Sequence, residues 1–451
     1  MGTVLSSVFF FVVALGILIT VHEFGHFWVA RKAGIKVLRF SIGFGKPLWM
    51  KTAGPDQTEY VLAAIPLGGY VRMLDEREGE VAPEELHRAF NRQPLKKRFA
   101  VVVAGPLFNF LLAITAYWFI FVIGVTGMKP IVGEVAPGSI AAKGGLENGD
   151  HIVAVGERKT PTWEVVVVAM LEDALNNGEV AIRVQPKQGP EGVRVIQFDS
   201  IPEDMNRGGL LDFVGIHPYR PAIPPVIDKL APGGAAEKAG IEVGDKVISA
   251  DGEPINDWAA WVDYVRARPD QKIMVKVERE GKTTELALTP ARIEGGVGKI
   301  GAGVRLQAMP DDLKSVVQYG PGAALVHAVS KTWNMSVLTL HMLGKMVIGD
   351  IALSNLSGPI SIARYAGYSA SIGFVSFLTF LAVVSISLGV LNLLPVPMLD
   401  GGHLLYYVIE FFKGSPVSEA AQMLGQKIGI AMLLSMMLLA FYNDILRFFD
   451  R

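Results

Sequence analysis

Residues 21–30 read VHEFGHFWVA. On a helix His22 and His26, four positions apart, share a face, so both imidazoles can reach one metal ion. Glu23 sits beside them and can take a proton from an attacking water. The chain contains no cysteine, which excludes thiolate ligands, cysteine nucleophiles and a disulfide framework. Any metal must therefore be held by His, Asp or Glu. An HExxH pattern alone is only moderately specific, but this one ends an apolar run, and ionisable groups within a membrane are costly and usually functional. The plain alternative is that His22 and Glu23 lie at the interface and hydrogen-bond to neighbouring helices.

Catalytic zinc takes three protein ligands and keeps one position open, so a third ligand must come from another part of the chain. Asp400 ends the apolar stretch LGVLNLLPVPMLDGGH, residues 388–403. If the first span runs inward and the third does too, Asp400 reaches the depth of HEFGH on the same side. His26 lies five residues before Arg31, roughly 7.5 Å along a helix, so the site is expected just inside the cytoplasmic edge of the bilayer. Pro395 and Pro397 break the third span here, and such backbone is tolerated at this depth only where it is buried in protein or lines a cavity. Gly401 and Gly402 allow a close turn. His403 competes for the third position, and Asp400 is preferred because a carboxylate partly offsets the zinc charge.

The elements that must position these groups are membrane spans. Of 451 residues, 51% are hydrophobic and 19% charged, below the roughly 25% charge of ordinary soluble domains. A net charge of −1 gives no reason to expect nucleic acid as a partner. Charge-free or nearly charge-free runs of spanning length occur at Met1–Val21, Phe99–Met128, Tyr365–Leu399 and roughly Met423–Asn443. The first lacks a positive leading region and an evident cleavage site, so it reads as a retained span rather than a signal peptide. Its MGTVLS start also fits the loose myristoylation pattern, which a helix beginning two residues later argues against. Arg31–Lys32 and Lys96–Arg98 flank the segment between the first two spans, which places that segment in the cytoplasm by the positive-inside rule. Both termini and residues 129–364 then face outward, into the periplasm of a Gram-negative cell.

APGSIAAKGGLENGD (136–150) aligns without gaps on APGGAAEKAGIEVGD (231–245), with nine of fifteen positions identical. Each copy leads into a short strand, HIVAV or KVISA. The pattern resembles PDZ domains, so two PDZ-like domains are expected, at 129–221 and 222–309. Such domains bind extended peptides or chain ends by strand addition, or serve as spacers that shape access. Residues 310–364 read as interfacial or packed helices, and His327 and His341 within them as ordinary residues.

HEFGH in the first span, NLLPVPMLDGG (392–402) in a later one and tandem PDZ-like domains between them resemble the site-2 protease family of M50-type intramembrane zinc metalloproteases. RFSIGFGKPLW (39–49), IPLGGYVRMLDE (65–76), AGPLFNF (104–110) and LSGPISIA (356–363) extend the resemblance along the whole chain. It implies that His22, His26 and Asp400 ligate zinc, that Glu23 is the catalytic base and acid, and that Asn392 helps hold the substrate backbone or the developing oxyanion. It also implies that Ser41–Met73 forms a β-rich sheet dipping into the membrane, with an edge strand that pairs with unwound substrate. The residues alone read as a cytoplasmic β-hairpin with two tight turns, punctuated by glycines 43, 45, 68 and 69.

The resulting expectation is a polytopic α-helical membrane protein of about four spans with a membrane-dipping β-rich segment and two periplasmic PDZ-like α+β domains, placed in the bacterial inner membrane. Its segments are 1–34 (first span with HEFGH), 35–98 (β-rich), 99–128 (second span), the PDZ-like pair, 310–364, 365–403 (third span) and 404–451 (fourth span and C-terminus). The expected substrate is a single-pass membrane protein of the anti-sigma factor type, already trimmed on its outer side, and also remnant signal peptides. The expected partners are that substrate, chain ends at the PDZ-like domains, and lipid. Two other classes fit the residues less well. A scaffold with a structural metal site does not need an acid beside two ligands, and a metal transporter would spread its ligands along several spans.

Overall fold

The computed structural model describes residues 2–198, 209–293, 295–304, 309–348 and 358–449. The chain divides into one unit of residues 1–125 and 318–451 and a second of residues 126–317.

The first unit is helical apart from one β segment. Helix α1 spans Gly2–Lys32 and carries HEFGH well inside it. Helix α2 spans Leu95–Ile123, so the second span starts before Phe99 and stops short of Met128. Gly124, at φ 115°, ends it, since only glycine takes such a conformation without strain. Helix α3 is a single run from Pro321 to Ile348. Residues 349–357, including Leu356 and Ser357 of the LSGPISIA stretch, lie outside the described residues. Helix α4 spans Pro359–Ile372 and α5 spans Phe374–Leu393. The third apolar run is thus two helices broken at Gly373, φ 141°, and residues 359–364 form the start of α4. Helix α6 spans Asp400–Lys413 and α7 spans Glu419–Phe449. Among the described residues, four helices are long and apolar enough to cross a membrane: α1, α2, α5 and α7.

Helix α2 is the centre of this unit, packing against α1, α3, α5 and α6. Arg98 on α2 pairs with Glu410 on α6 and lies 5.0 Å over the Tyr407 ring. Near the other end of the bundle, Asp444 of α7 accepts from the amides of Gly358, Ile360 and Ser361 and from the Ser361 hydroxyl. That carboxylate satisfies the free amides at the start of α4.

The β segment consists of two long bent strands, β1 (Val37–Ala53) and β2 (Thr58–Met73). A plain hairpin would pair each residue once. Here Arg39–Ile42 is partnered both by Glu59–Leu62 and by Gly69–Arg72, while Trp49–Ala53 pairs with Thr58–Leu62. The bends at Gly43 and Gly45, both at positive φ, and at Pro66–Gly69 fold two strands into four segments. Residues 69–73 form one edge and 47–53 the other. The distal half exposes Phe44, Leu48, Trp49, Met50, Leu62 and Ile65.

The second unit repeats one topology twice. Strands 158–159, 151–155, 179–185 and 192–197 form a sheet in that order, as do 253–254, 246–250, 273–279 and 282–288. In each copy a two-stranded sheet completes the fold, 132–135 with 216–218 and 227–230 with 302–304. Each copy has its own apolar core, around Met170 in one and Trp261 in the other. The repeated Gly-Asp has a structural reason. Asp150 and Asp245 are buried and accept from the amides of Glu147 and Glu242 three residues earlier. Among the described residues only Asp245 has a guanidinium as well: Arg279 donates to both its oxygens at 2.8 and 2.7 Å.

Burial pushes the Asp245 carboxyl up, but the Arg279 fork and the Glu242 amide outweigh it and hold the group below its ordinary 3.8. A depressed folded value means that the stabilisation is present above 3.8 and is lost as pH falls through the folded value. Hydrogen-exchange protection of strand 273–279 is therefore expected to drop in acid below that point. Asp245→Asn should lower protection at neutral pH and flatten this acid dependence; an unchanged acid slope would remove Asp245 from it.

Candidate metal centre

His22, His26 and Asp400 come together although 374 residues separate the last two. His22 Nε2 lies 3.3 Å from His26 Nε2 and 3.2 Å from Asp400 Oδ2, and His26 Nε2 lies 3.5 Å from Asp400 Oδ1. Zinc bonds of about 2.0–2.1 Å at tetrahedral angles put ligand atoms roughly 3.3 Å apart, so these three edges fit one ion. The donor chemistry agrees. His26 Nδ1 is 2.8 Å from the Val101 carbonyl, which can only accept, so Nδ1 carries the proton and the neutral ring turns a bare lone pair at Nε2 inward. That lone pair faces carboxylate oxygens, and the buried Asp400 Oδ2 has no hydrogen-bond partner. Mutually facing acceptors in a low-dielectric site are stabilised by a cation between them.

Each ligand is delivered by a local feature of the sequence. His22 and His26 are successive turns of α1. Gly25, between them, faces the Ala104 carbonyl so closely that a Cβ would collide with it. Gly105 on α2 faces both rings, and a Cβ there would overlap His26 and press on His22. The missing side chains let two helices close around two imidazoles. Asp400 opens α6. Leu394 ends α5, Pro395 and Pro397 prevent the helix from continuing, and Met398 sits at φ 88°, a left-handed conformation that a non-glycine residue holds only under external constraint. Gly401 and Gly402 are both helical. Their role is close approach rather than an unusual φ, since Cβ atoms would collide with the backbone at Leu393–Leu394 and Val396–Pro397 respectively.

Glu23 and Asn392 line the same cavity of about 450 Å³, as do Gly69, Tyr70, Val71 and Met73 of the β2 edge. A Cβ on Gly69 would touch Glu23 Cγ at 2.8 Å, so the Glu23 side chain packs directly against the strand edge. His403 lines the cavity too but lies outside the converging ligand set. His327 is elsewhere, its ring 4.1 Å from that of Tyr319 and tilted 41° to it, and His341 is exposed.

Asn109, to which the sequence alone assigns no role, is fully buried with Nδ2 3.1 Å from His22 Nδ1. The available signal was a lone amide in an otherwise apolar span. Nothing in the sequence marks the Val101 carbonyl.

The chain matches the family model for peptidase family M50 over residues 10–436. It is 46% identical over 442 residues to the regulator of sigma-E protease RseP of Escherichia coli, covering 97% of this chain and 98% of that protein. It is 44% identical to protease RseP of Yersinia pestis, covering 99% of this chain and 100% of the relative. A Vibrio cholerae protein whose name describes a zinc metalloprotease is likewise 44% identical at the same coverage. Among solved structures, the PDZ domain of an SdrC-like protein from Listeria innocua aligns with 19% of the chain and 99% of that structure, at 16% identity and a TM-score of 0.18.

Gly105→Ala separates helix stability from site assembly. Alanine favours a helix interior by about 1 kcal/mol over glycine, yet here its methyl group meets both imidazoles. The expected result is an intact, inserted protein whose zinc affinity falls at least about 10-fold, read by chelator competition. Unchanged affinity would show that the rings do not depend on this close approach.

Proposed function

The chain belongs to peptidase family M50, and on that premise we propose that His22, His26 and Asp400 hold the zinc of an intramembrane metalloprotease, with Glu23 as its proton carrier. The observation that carries the assignment is the convergence of three ligand atoms at 3.2–3.5 Å with a carboxylate beside them in one cavity. Zinc supplies Lewis acidity, which acidifies water toward neutral pH and polarises a peptide carbonyl. Glu23 takes the proton of the attacking water and returns it to the leaving amine. Asn392 offers its amide N–H to the carbonyl oxygen as charge develops there.

The substrate must arrive unwound, because a helix hides its carbonyls in its own hydrogen bonds. Bare peptide groups in an apolar medium cost roughly 2–7 kcal/mol each. The 69–73 edge of β2 has no strand on its outer side among the described residues, and it lines the cavity beside Glu23. It gives an opened substrate backbone the partners it has lost, by strand addition. The exposed apolar half of the sheet supports its placement within the lipid, and Arg31, Lys32, Lys96 and Lys97 support a cytoplasmic position for the segment that carries it.

The Escherichia coli relative, named as a regulator of sigma-E protease, supports a substrate that is a single-pass anti-sigma factor, cut within its transmembrane segment after an earlier cut has trimmed its outer part. Remnant signal peptides share that geometry. The repeated domains at 129–221 and 222–309 are assigned PDZ-like peptide capture on the periplasmic side of the inner membrane.

The test is cleavage of a purified, outer-trimmed single-pass substrate in detergent. Wild type is expected to cut within the membrane segment. Glu23→Gln should lose about 10²–10⁴-fold in rate while still binding zinc. Equal cutting by both would place the activity elsewhere.

A further inference from the structure

We infer that Asn109 is a positioning residue for the metal centre: its side-chain oxygen accepts the His22 Nδ1–H and fixes the ring tautomer that turns Nε2 toward the metal. The inference rests on the zinc-site assignment above.

Val101, Gly105 and Asn109 follow one another at intervals of four, so they form a single row along α2. The row meets the two ligand rings in three ways. The Val101 carbonyl holds His26 Nδ1 at 2.8 Å, Gly105 leaves room for both rings, and the Asn109 amide reaches His22 Nδ1 at 3.1 Å. The Asn109 turn is itself pinned, because the fully buried Ser385 of α5 donates to its backbone carbonyl at 2.8 Å.

The atom facing His22 decides what the contact does. With Nδ2 toward the ring, Asn109 donates to Nδ1, and His22 then carries its proton at Nε2, where a metal would have to bind. The oxygen and nitrogen of an amide are interchangeable in shape and are assigned from their partners. Turning the amide over places Oδ1 against Nδ1 as an acceptor and leaves the His22 Nε2 lone pair free, which is what a metal at Nε2 requires. Both imidazoles then donate outward to oxygens on α2 and face inward through Nε2, the arrangement that orients metal-bound histidines and raises their basicity.

The experiment compares zinc affinity by chelator competition for the full-length wild type, Asn109→Ala, Asn109→Asp and His22→Ala in detergent. The thermal shift on zinc addition is recorded for each variant against its own metal-free form. That shift follows affinity through linkage and so separates metal binding from a general folding defect. Asn109→Ala is expected to weaken zinc about 10–100-fold. Asn109→Asp keeps an acceptor but no donor, and is expected to bind within about threefold of wild type or tighter, as a carboxylate–histidine–metal triad. Affinity in Asn109→Ala equal to wild type, or Asn109→Asp as weak as Asn109→Ala, overturns the inference. Wild-type binding that survives His22→Ala undamaged would instead overturn the zinc-site assignment itself.

Discussion

Three electron-rich atoms from two distant parts of the chain face one another inside an apolar bundle, and the rest of the membrane unit depends on holding them there. Two imidazole nitrogens and a carboxylate at 3.2–3.5 Å gain nothing from each other without a positive charge between them. Their convergence must therefore be maintained by packing. Helix α2 does most of this. It lies against α1, α3, α5 and α6, supplies the oxygen that orients His26, and offers a glycine where any side chain would push the rings away. Pro106 loosens the same turn, because it lacks the amide that the Val102 carbonyl would otherwise accept.

The parts legible in the sequence are those set by local period or by an internal copy. HEFGH was readable because the helical period alone puts two histidines on one face. Asp400 was readable because successive spans reverse direction, which fixes depth without three-dimensional detail. The two repeated domains were readable as a duplication. The duplicated Gly-Asp then proved to be a buried carboxylate closing its own turn at Asp150 and Asp245. Helix ends were less accessible. Charge-free runs mark where a chain tolerates lipid, whereas Gly124 and Gly373 stop helices through backbone conformation.

What the sequence could not reveal depends on which surfaces meet. Asn109 and Gly105 acquire their significance only once α1 lies against that face of α2. The β segment shows the same limit. Its composition indicates strands and turns, but the bends at Gly43, Gly45 and Pro66–Gly69 fold two strands into four segments. As a result Arg39–Ile42 is interior and residues 69–73 become the edge. A simple hairpin would have left the cavity side of the sheet undefined, and with it the surface beside Glu23 that an unwound substrate could use.

Of the three converging side chains Asp400 is the one most dependent on distant structure, since it follows a loop with no regular hydrogen-bond ladder. Its position is set by contacts close enough to exclude side chains. Gly401 and Gly402 bring the first turn of α6 onto the backbone of residues 393–397. From the other side, Gly429 of α7 sits against the Pro397 carbonyl, and Gly425 one turn earlier makes room for the Tyr406 hydroxyl. Small residues four apart are how helices approach closely in lipid, where no hydrophobic force drives them together; here the partner is the loop that precedes the proposed metal ligand Asp400. Met398 at φ 88° is the local cost of that clamp. The strain is stored one residue from Leu399 and two from Asp400, so relaxation of α7 away from the loop would be felt first at the carboxylate that completes the site.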